Sequence, residues 1–126
     1  LLNGSYKLQV IHLTDHDALL RFRDSLLPYC GERIRMVFSN DRYLEILPAE
    51  AEKGKALRFI ESYLPVPHSH TFAAGDAPND ISMLKAAQTG IAMQNASSEV
   101  KESADMVTSL DHNHDGLLEI LEKHFR

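Results

Sequence analysis

Cysteine is scarce in this sequence. The 126-residue chain contains a single cysteine, Cys30, which excludes an intramolecular disulfide bond. Small secreted domains that depend on disulfides are therefore ruled out, and a reducing, cytoplasmic compartment is the expectation.

Basic charge and long apolar runs are also in short supply. The chain has 13 lysines and arginines against 18 acidic residues, which gives a formal net charge of -5. This balance argues against a nucleic-acid partner, and the carboxylates are better suited to attracting metal ions. Because no apolar run reaches membrane-spanning length and no signal peptide is recognisable, we expect no membrane partner either.

The first part of the chain has the pattern of a small α+β layer. Residues 6–13 alternate roughly between apolar and polar side chains and are predicted to form a strand. Polar residues 14–17 are suited to capping a helix over residues 18–27, which Pro28 and Gly31 are expected to end.

A predicted hairpin follows this helix. Two apolar segments, residues 33–38 and 43–47, are separated by a polar turn at residues 39–41. The pattern changes after the hairpin, so we divide the chain into a first domain, residues 1–49, and a second domain, residues 50–126.

The second domain alternates between helical and strand patterns. Such alternation predicts right-handed parallel crossovers in an α/β fold, with ligands bound beyond the carboxyl ends of the strands. The predicted order is helix 56–64, strand 71–74, helix 81–88, strand 90–93, helix 97–104, strand 106–108 and helix 116–125.

The segment TFAAGDAPNDISML places two carboxylates where a strand gives way to a helix. Asp76 and Asp80 at such a strand end could hold Mg²⁺, which needs one or two carboxylates together with water and a substrate phosphate. Asn79 could donate an amide hydrogen bond to a phosphate oxygen. A simpler interpretation is that Asn79 or Asp80 only caps the following helix.

Lys53 strengthens the metal and phosphate interpretation. The sequence Lys53-Gly54-Lys55 falls in the first turn of a predicted helix, where a cation opposes the helix dipole. A nearby anion would reverse that penalty, and a lysine ammonium suits a phosphoryl group. We expect Lys55, by contrast, to be a solvated surface charge.

These residues together resemble the haloacid-dehalogenase superfamily of phosphohydrolases, with its Cof-type and sucrose-phosphatase-like sugar phosphatases as the nearest likeness. The stretches that carry the resemblance are LEILPAEAEKGKALRFI, FAAGDAPNDISMLKAAQTGIAMQNASSEVKESADMVT and DGLLEIL.

The resemblance implies a role for four residues. Asp76 would be a Mg²⁺ ligand, Asp80 would support the metal site, Asn79 would contact the substrate, and Lys53 would stabilise the phosphoryl group and the nucleophile. The second domain would be the C-terminal part of a Rossmann-like parallel-sheet core, and the first domain part of a mobile α+β cap.

The resemblance also implies that essential parts lie outside this chain. In the family, a nucleophilic aspartate and an acid/base aspartate stand in a DxD motif after the first strand. If the first domain is cap, that motif precedes Leu1. We therefore expect a phosphatase of a small phosphorylated metabolite such as a sugar phosphate, acting through an aspartyl-phosphate, and an isolated chain that is a poor catalyst.

Three alternatives stay open. Asp15 and Asp17 form a DxD after an apolar strand, and with Ser39 they would make a complete capless phosphatase. Residues 111–122, DHNHDGLLEILE, match the letters of an EF-hand calcium loop, although a helix starting at Gly116 would carry the last ligand away. Lastly, the chain could be a fragment or binding module without catalysis.

The histidine pairs of the sequence suggest zinc only weakly. His68 with His70, and His112 with His114, have a spacing found at zinc sites, but no third ligand is suitably placed. We expect these four side chains to be exposed in loops.

Overall fold

The computed structural model describes residues 5–125, and the chain divides into two compact units between Ala51 and Glu52. Each unit has its own three-stranded sheet. The division does not show the role of either unit. The assignment of the first unit to a cap and of the second to a catalytic core therefore stays a prediction.

The first unit is an antiparallel sheet with one helix. The strand order is β1-β3-β2, and β2 and β3 form the predicted hairpin. Ser39 and Asn40, which the pattern assigns to the turn, instead extend β2, and the turn lies at residues 41–42. The elements are β1 (Leu8–Ile11), α1 (His16–Cys30), β2 (Ile34–Asn40) and β3 (Tyr43–Pro48).

The end of α1 corrects one prediction. The helix continues through Pro28 as far as Cys30, so the expectation that Pro28 ends it is wrong. A proline in the last turn removes a single N–H donor, which a helix of this length tolerates. The helix stops at Gly31, whose φ of 58° is a left-handed value that favours glycine.

The second unit contains the predicted parallel sheet. Strands β4, β5 and β6 lie in that order, and both neighbouring pairs are parallel, which confirms the α/β expectation. The elements are α2 (Lys53–Tyr63), β4 (Phe72–Gly75), α3 (Ile81–Ala86), β5 (Thr89–Ala92), α4 (Ser98–Glu102), β6 (Met106–Val107) and α5 (Gly116–His124).

The core of the second unit lies on both faces of β5. Ala92 is fully buried in a cluster with Leu84 and Val100, while its neighbour Ile91 is buried with Ile120 on the opposite face. Two-sided burial is typical of a central parallel strand covered by helices. The covered sheet fixes the positions of the loops that follow its strands.

Within residues 5–125, no helix is both long and apolar enough to cross a membrane.

Candidate active site

Polar side chains follow all three strands of the parallel sheet. Asp76 comes directly after β4, Asn95 follows β5, and His112 lies in the loop after β6. Since parallel strands end at the same edge of a sheet, these three loops come together at the place where α/β folds bind ligands.

The loop after β4 is shaped by the carboxylate of Asp80. Its Oδ2 accepts hydrogen bonds from the backbone N–H groups of Asp76 and Ala77, each at 3.1 Å. A Cβ at Gly75 would stand 2.4 Å from the Cβ of Asp80, so the close packing of the loop on the strand end requires glycine. Asp80 thus holds the loop instead of capping α3, for which its side chain makes no hydrogen bond.

Lys53 lies against this same loop. Its ammonium forms an ion pair with Oδ1 of Asp80. The contact depends on the next residue, Gly54, where a Cβ would come 2.3 Å from the carbonyl oxygen of Ser82. The absent side chain lets the first turn of α2 approach α3, and the carboxylate offsets the unfavourable position of a cation at a helix N-terminus.

The two aspartates differ in how accessible they are. The Asp80 side chain is 8% exposed, and each of its oxygens already contacts protein. The Asp76 side chain is 36% exposed. Of the two carboxylates, Asp76 is therefore the one open to a cation, and Asp80 supports the loop that carries it.

Sequence reasoning missed two residues of this site. The Nδ1 atom of His112 lies 2.6 Å from Oδ2 of Asp76, and the backbone N–H of His112 donates to Oδ1 of Asn95 at 3.1 Å. The sequence pattern predicts only an exposed loop residue at His112. Its position after the third strand of a parallel sheet was the available signal, because that position leads to the same edge as Asp76.

Asn79 supplies an unsatisfied oxygen in the loop. Its Oδ1 is buried, and no donor among residues 5–125 forms a hydrogen bond with it. Buried polar atoms normally have partners, so an orphaned acceptor fits a cation or an N–H from a bound molecule.

The residues fit Mg²⁺ as a partial site. Asp76 offers an accessible carboxylate, and hard oxygen ligands are those that Mg²⁺ prefers. Among the described residues no three His, Cys, Asp or Glu side chains gather into a metal cluster. A cation bound here would take its remaining ligands from water, from the substrate and from residues other than those described.

The structure gives Asp15 an ordinary structural role. Asp15 is the N-cap of α1, and its Oδ1 accepts the N–H of Ala18 at 2.9 Å, which lowers the pKa of the carboxyl group. Strand β1, which precedes it, pairs antiparallel with β3. Ser39 is the second-last residue of β2, which pairs antiparallel with β3. The capless interpretation requires these two strands to be parallel neighbours, whereas β3 lies between β1 and β2 and is antiparallel to both.

In the loop that resembles an EF-hand, as in the rest of residues 5–125, the structure does not bring three His, Cys, Asp or Glu side chains together. Helix α5 begins at Gly116, so Glu122 lies about 9 Å further along the helix axis. Oδ1 of Asp111 accepts hydrogen bonds from the backbone of Asn113 and from the ring of His114.

His68 takes part in a separate contact at the other end of β4. Its Nδ1 lies 2.8 Å from Glu61, which Arg58 also contacts at 3.0 Å. The hydrogen bond from His68 is the main cause of a Glu61 pKa lowered to about 2. These residues tie α2 to the turn before β4.

Comparison with known proteins agrees with the fold. The family described as haloacid dehalogenase-like hydrolase matches residues 2–121. An HMP-PP phosphatase from Citrobacter koseri is 40% identical over 82 residues, which are 65% of this chain and 30% of that protein.

Two solved structures have the same fold over most of the chain. A haloacid dehalogenase-like hydrolase from B. subtilis has a TM-score of 0.79 at 31% identity, covering 96% of this chain and 41% of that one. The HAD subclass IIB sugar phosphatase BT4131 has a TM-score of 0.75 at 26% identity, covering 82% and 39%. The chain spans less than half the length of each of these three proteins. It belongs to the haloacid dehalogenase-like hydrolase family.

Proposed function

We propose that this chain forms part of a Mg²⁺-dependent phosphatase that hydrolyses a small phosphorylated metabolite, with sugar phosphates as the favoured class. The observation that carries the proposal is the ion pair between Lys53 and Asp80. Asp80 belongs to the same loop as the accessible Asp76, so the pair brings the lysine to that loop. Relatives named as an HMP-PP phosphatase and a sugar phosphatase support the substrate class.

Each residue has a task in this proposal. Asp76 holds the cation, which supplies charge neutralisation at the phosphoryl oxygens. Asp80 keeps the loop in shape and orients Lys53, whose side chain is 49% exposed and whose ammonium offsets the negative charge of the transferring group. Asn79 positions the substrate. The nucleophile, an aspartate that becomes phosphorylated, comes from a segment outside these residues.

The natural protein that carries this chain, purified at its full length, offers the direct test. We expect hydrolysis of small phosphate monoesters to require Mg²⁺, and Asp76→Asn or Lys53→Ala to reduce kcat/KM by at least about 100-fold. Lys55→Ala is the matched control and should leave the rate within about twofold. Equal activity of wild type and Asp76→Asn would contradict the proposal.

The isolated chain separates the proposal from the capless alternative. We expect the 126-residue protein to show little Mg²⁺-dependent hydrolysis of p-nitrophenyl phosphate. Strong turnover that Asp15→Asn abolishes would instead assign catalysis to the first unit.

A further inference from the structure

We propose that His112, held by Asn95, is a positioning residue that orients the Asp76 carboxylate for cation binding. The inference rests on the proposed function and concerns two residues that lie outside both the segment TFAAGDAPNDISML and the sequence Lys53-Gly54-Lys55. It is built from three loops, one after each strand of the parallel sheet.

The first step is the direction of the hydrogen bond. An ionised carboxylate only accepts, so Nδ1 of His112 is the donor to Oδ2 of Asp76 across 2.6 Å. That bond occupies one carboxylate oxygen and restricts rotation of the side chain. The other oxygen of Asp76 accepts no hydrogen bond from residues 5–125 and is left for a cation.

The second step is the anchoring of His112 itself. Its backbone N–H donates to Oδ1 of Asn95 at 3.1 Å, and the Nδ2 atom of Asn95 lies 3.0 Å from the ring Nδ1. Because Nδ1 donates to Asp76, the Asn95 amide lies beside the ring without bonding to it, and the backbone hydrogen bond is what anchors His112. A residue whose backbone is held in this way keeps its ring beside the carboxylate better than a residue in an unanchored loop does.

The third step is the expected size of the effect. Ligating carboxylates are commonly hydrogen-bonded by neighbouring groups, and loss of such a partner typically lowers metal affinity by about 10- to 100-fold. Removal of the His112 ring should therefore weaken cation binding without abolishing it, whereas removal of the Asp76 carboxylate should abolish it.

The experiment is a titration of the chain with Mn²⁺, followed by paramagnetic broadening of backbone amide NMR signals. We expect broadening centred on Asp76 in the wild type, a Kd raised by about 10-fold or more in His112→Ala, and recovery in His112→Asn, whose amide N–H stands near the position of Nδ1. His114→Ala, in the same loop but bonded to Asp111, is the matched control and should bind as wild type. Thermal melting of each variant shows whether it is folded.

The outcomes separate this inference from the proposed function. Binding that Asp76→Asn abolishes and His112→Ala leaves unchanged or tightens would overturn the inference alone. Equal weakening by His114→Ala and His112→Ala would assign His112 to general loop structure and would also overturn it. Mn²⁺ binding that does not depend on Asp76, or no binding by the wild type, would contradict both.

Discussion

Two segments of this chain look alike in sequence and differ in structure. Both VIHLTDHD in the first unit and TFAAGDAPND in the second place a pair of aspartates after an apolar strand. Asp15 caps a helix, and the strand before it belongs to an antiparallel sheet. Asp76 follows a parallel strand and contacts His112 from a second loop, which Asn95 from a third loop anchors.

The difference shows that strand direction decides what such a pair of carboxylates can do. Antiparallel neighbours send their carboxyl ends to opposite edges, so β3, which separates β1 from β2, ends away from the edge that carries Asp15. Parallel neighbours send them to one edge, which is where an active site can be assembled from several loops. The following predictions test this contrast between the two units.

The largest expected effect is on the free energy of unfolding, and it is seen by comparing alanine substitutions at two glycines. Gly54→Ala would push a methyl group against the backbone of Ser82, and we expect it to lower the free energy of unfolding by about 3 kcal/mol. Gly31→Ala meets no atom within 4 Å and only forces alanine to a positive φ, which should cost about 1 kcal/mol. Urea denaturation measures both. Equal losses would mean that α2 and α3 do not need their close approach.

A second contrast concerns the aspartates that make backbone hydrogen bonds. Asp80→Ala leaves the N–H groups of Asp76 and Ala77 and the Lys53 ammonium without their partner, and we expect a loss of about 2 kcal/mol. Asp15→Ala removes one cap at an exposed helix start and should cost less. A larger loss for Asp15→Ala in chemical denaturation would mean that the helix cap matters more to stability than the braced loop does.

The smallest effect is a pH dependence of the second unit. Because the folded-state pKa of Glu61 is lowered to about 2 from 4.5, chiefly by the bond from His68, its contribution to stability is complete above about pH 4.5. That contribution is lost as the pH falls through about 2. We expect Glu61→Gln to flatten the change in Tm between these pH values, compared with wild type. An unchanged profile would show that Glu61 is equally acidic in the unfolded chain.

Much of the fold was predictable because its signals are local. Apolar spacing and capping residues indicated the helices, the hairpin and the alternation that becomes the parallel sheet. The error at Pro28 arose because a proline near a helix end removes one donor without forcing the chain to stop, so Gly31 alone marks the boundary.

The site was predictable only in part, because its contacts join residues that are distant in sequence. The motif singled out Asp76, Asp80, Asn79 and Lys53 as a group. Spacing alone did not indicate that the Asp80 carboxylate accepts a hydrogen bond from the backbone of Asp76 and forms an ion pair with Lys53. The contact of His112 with Asp76 spans 36 positions and depends on the path of the loop after β6, which sequence patterns do not indicate.

The central claim is that Asp76, in the loop braced by Asp80 and beside Lys53, binds a divalent cation. The most direct measurement is a crystal structure of the chain grown with Mg²⁺, with Mn²⁺ substituted to identify the ion by anomalous scattering. The account predicts a cation about 2.1 Å from a carboxylate oxygen of Asp76, with Lys53 still paired to Asp80. A cation bound only within residues 111–122, or no cation at Asp76, would contradict it.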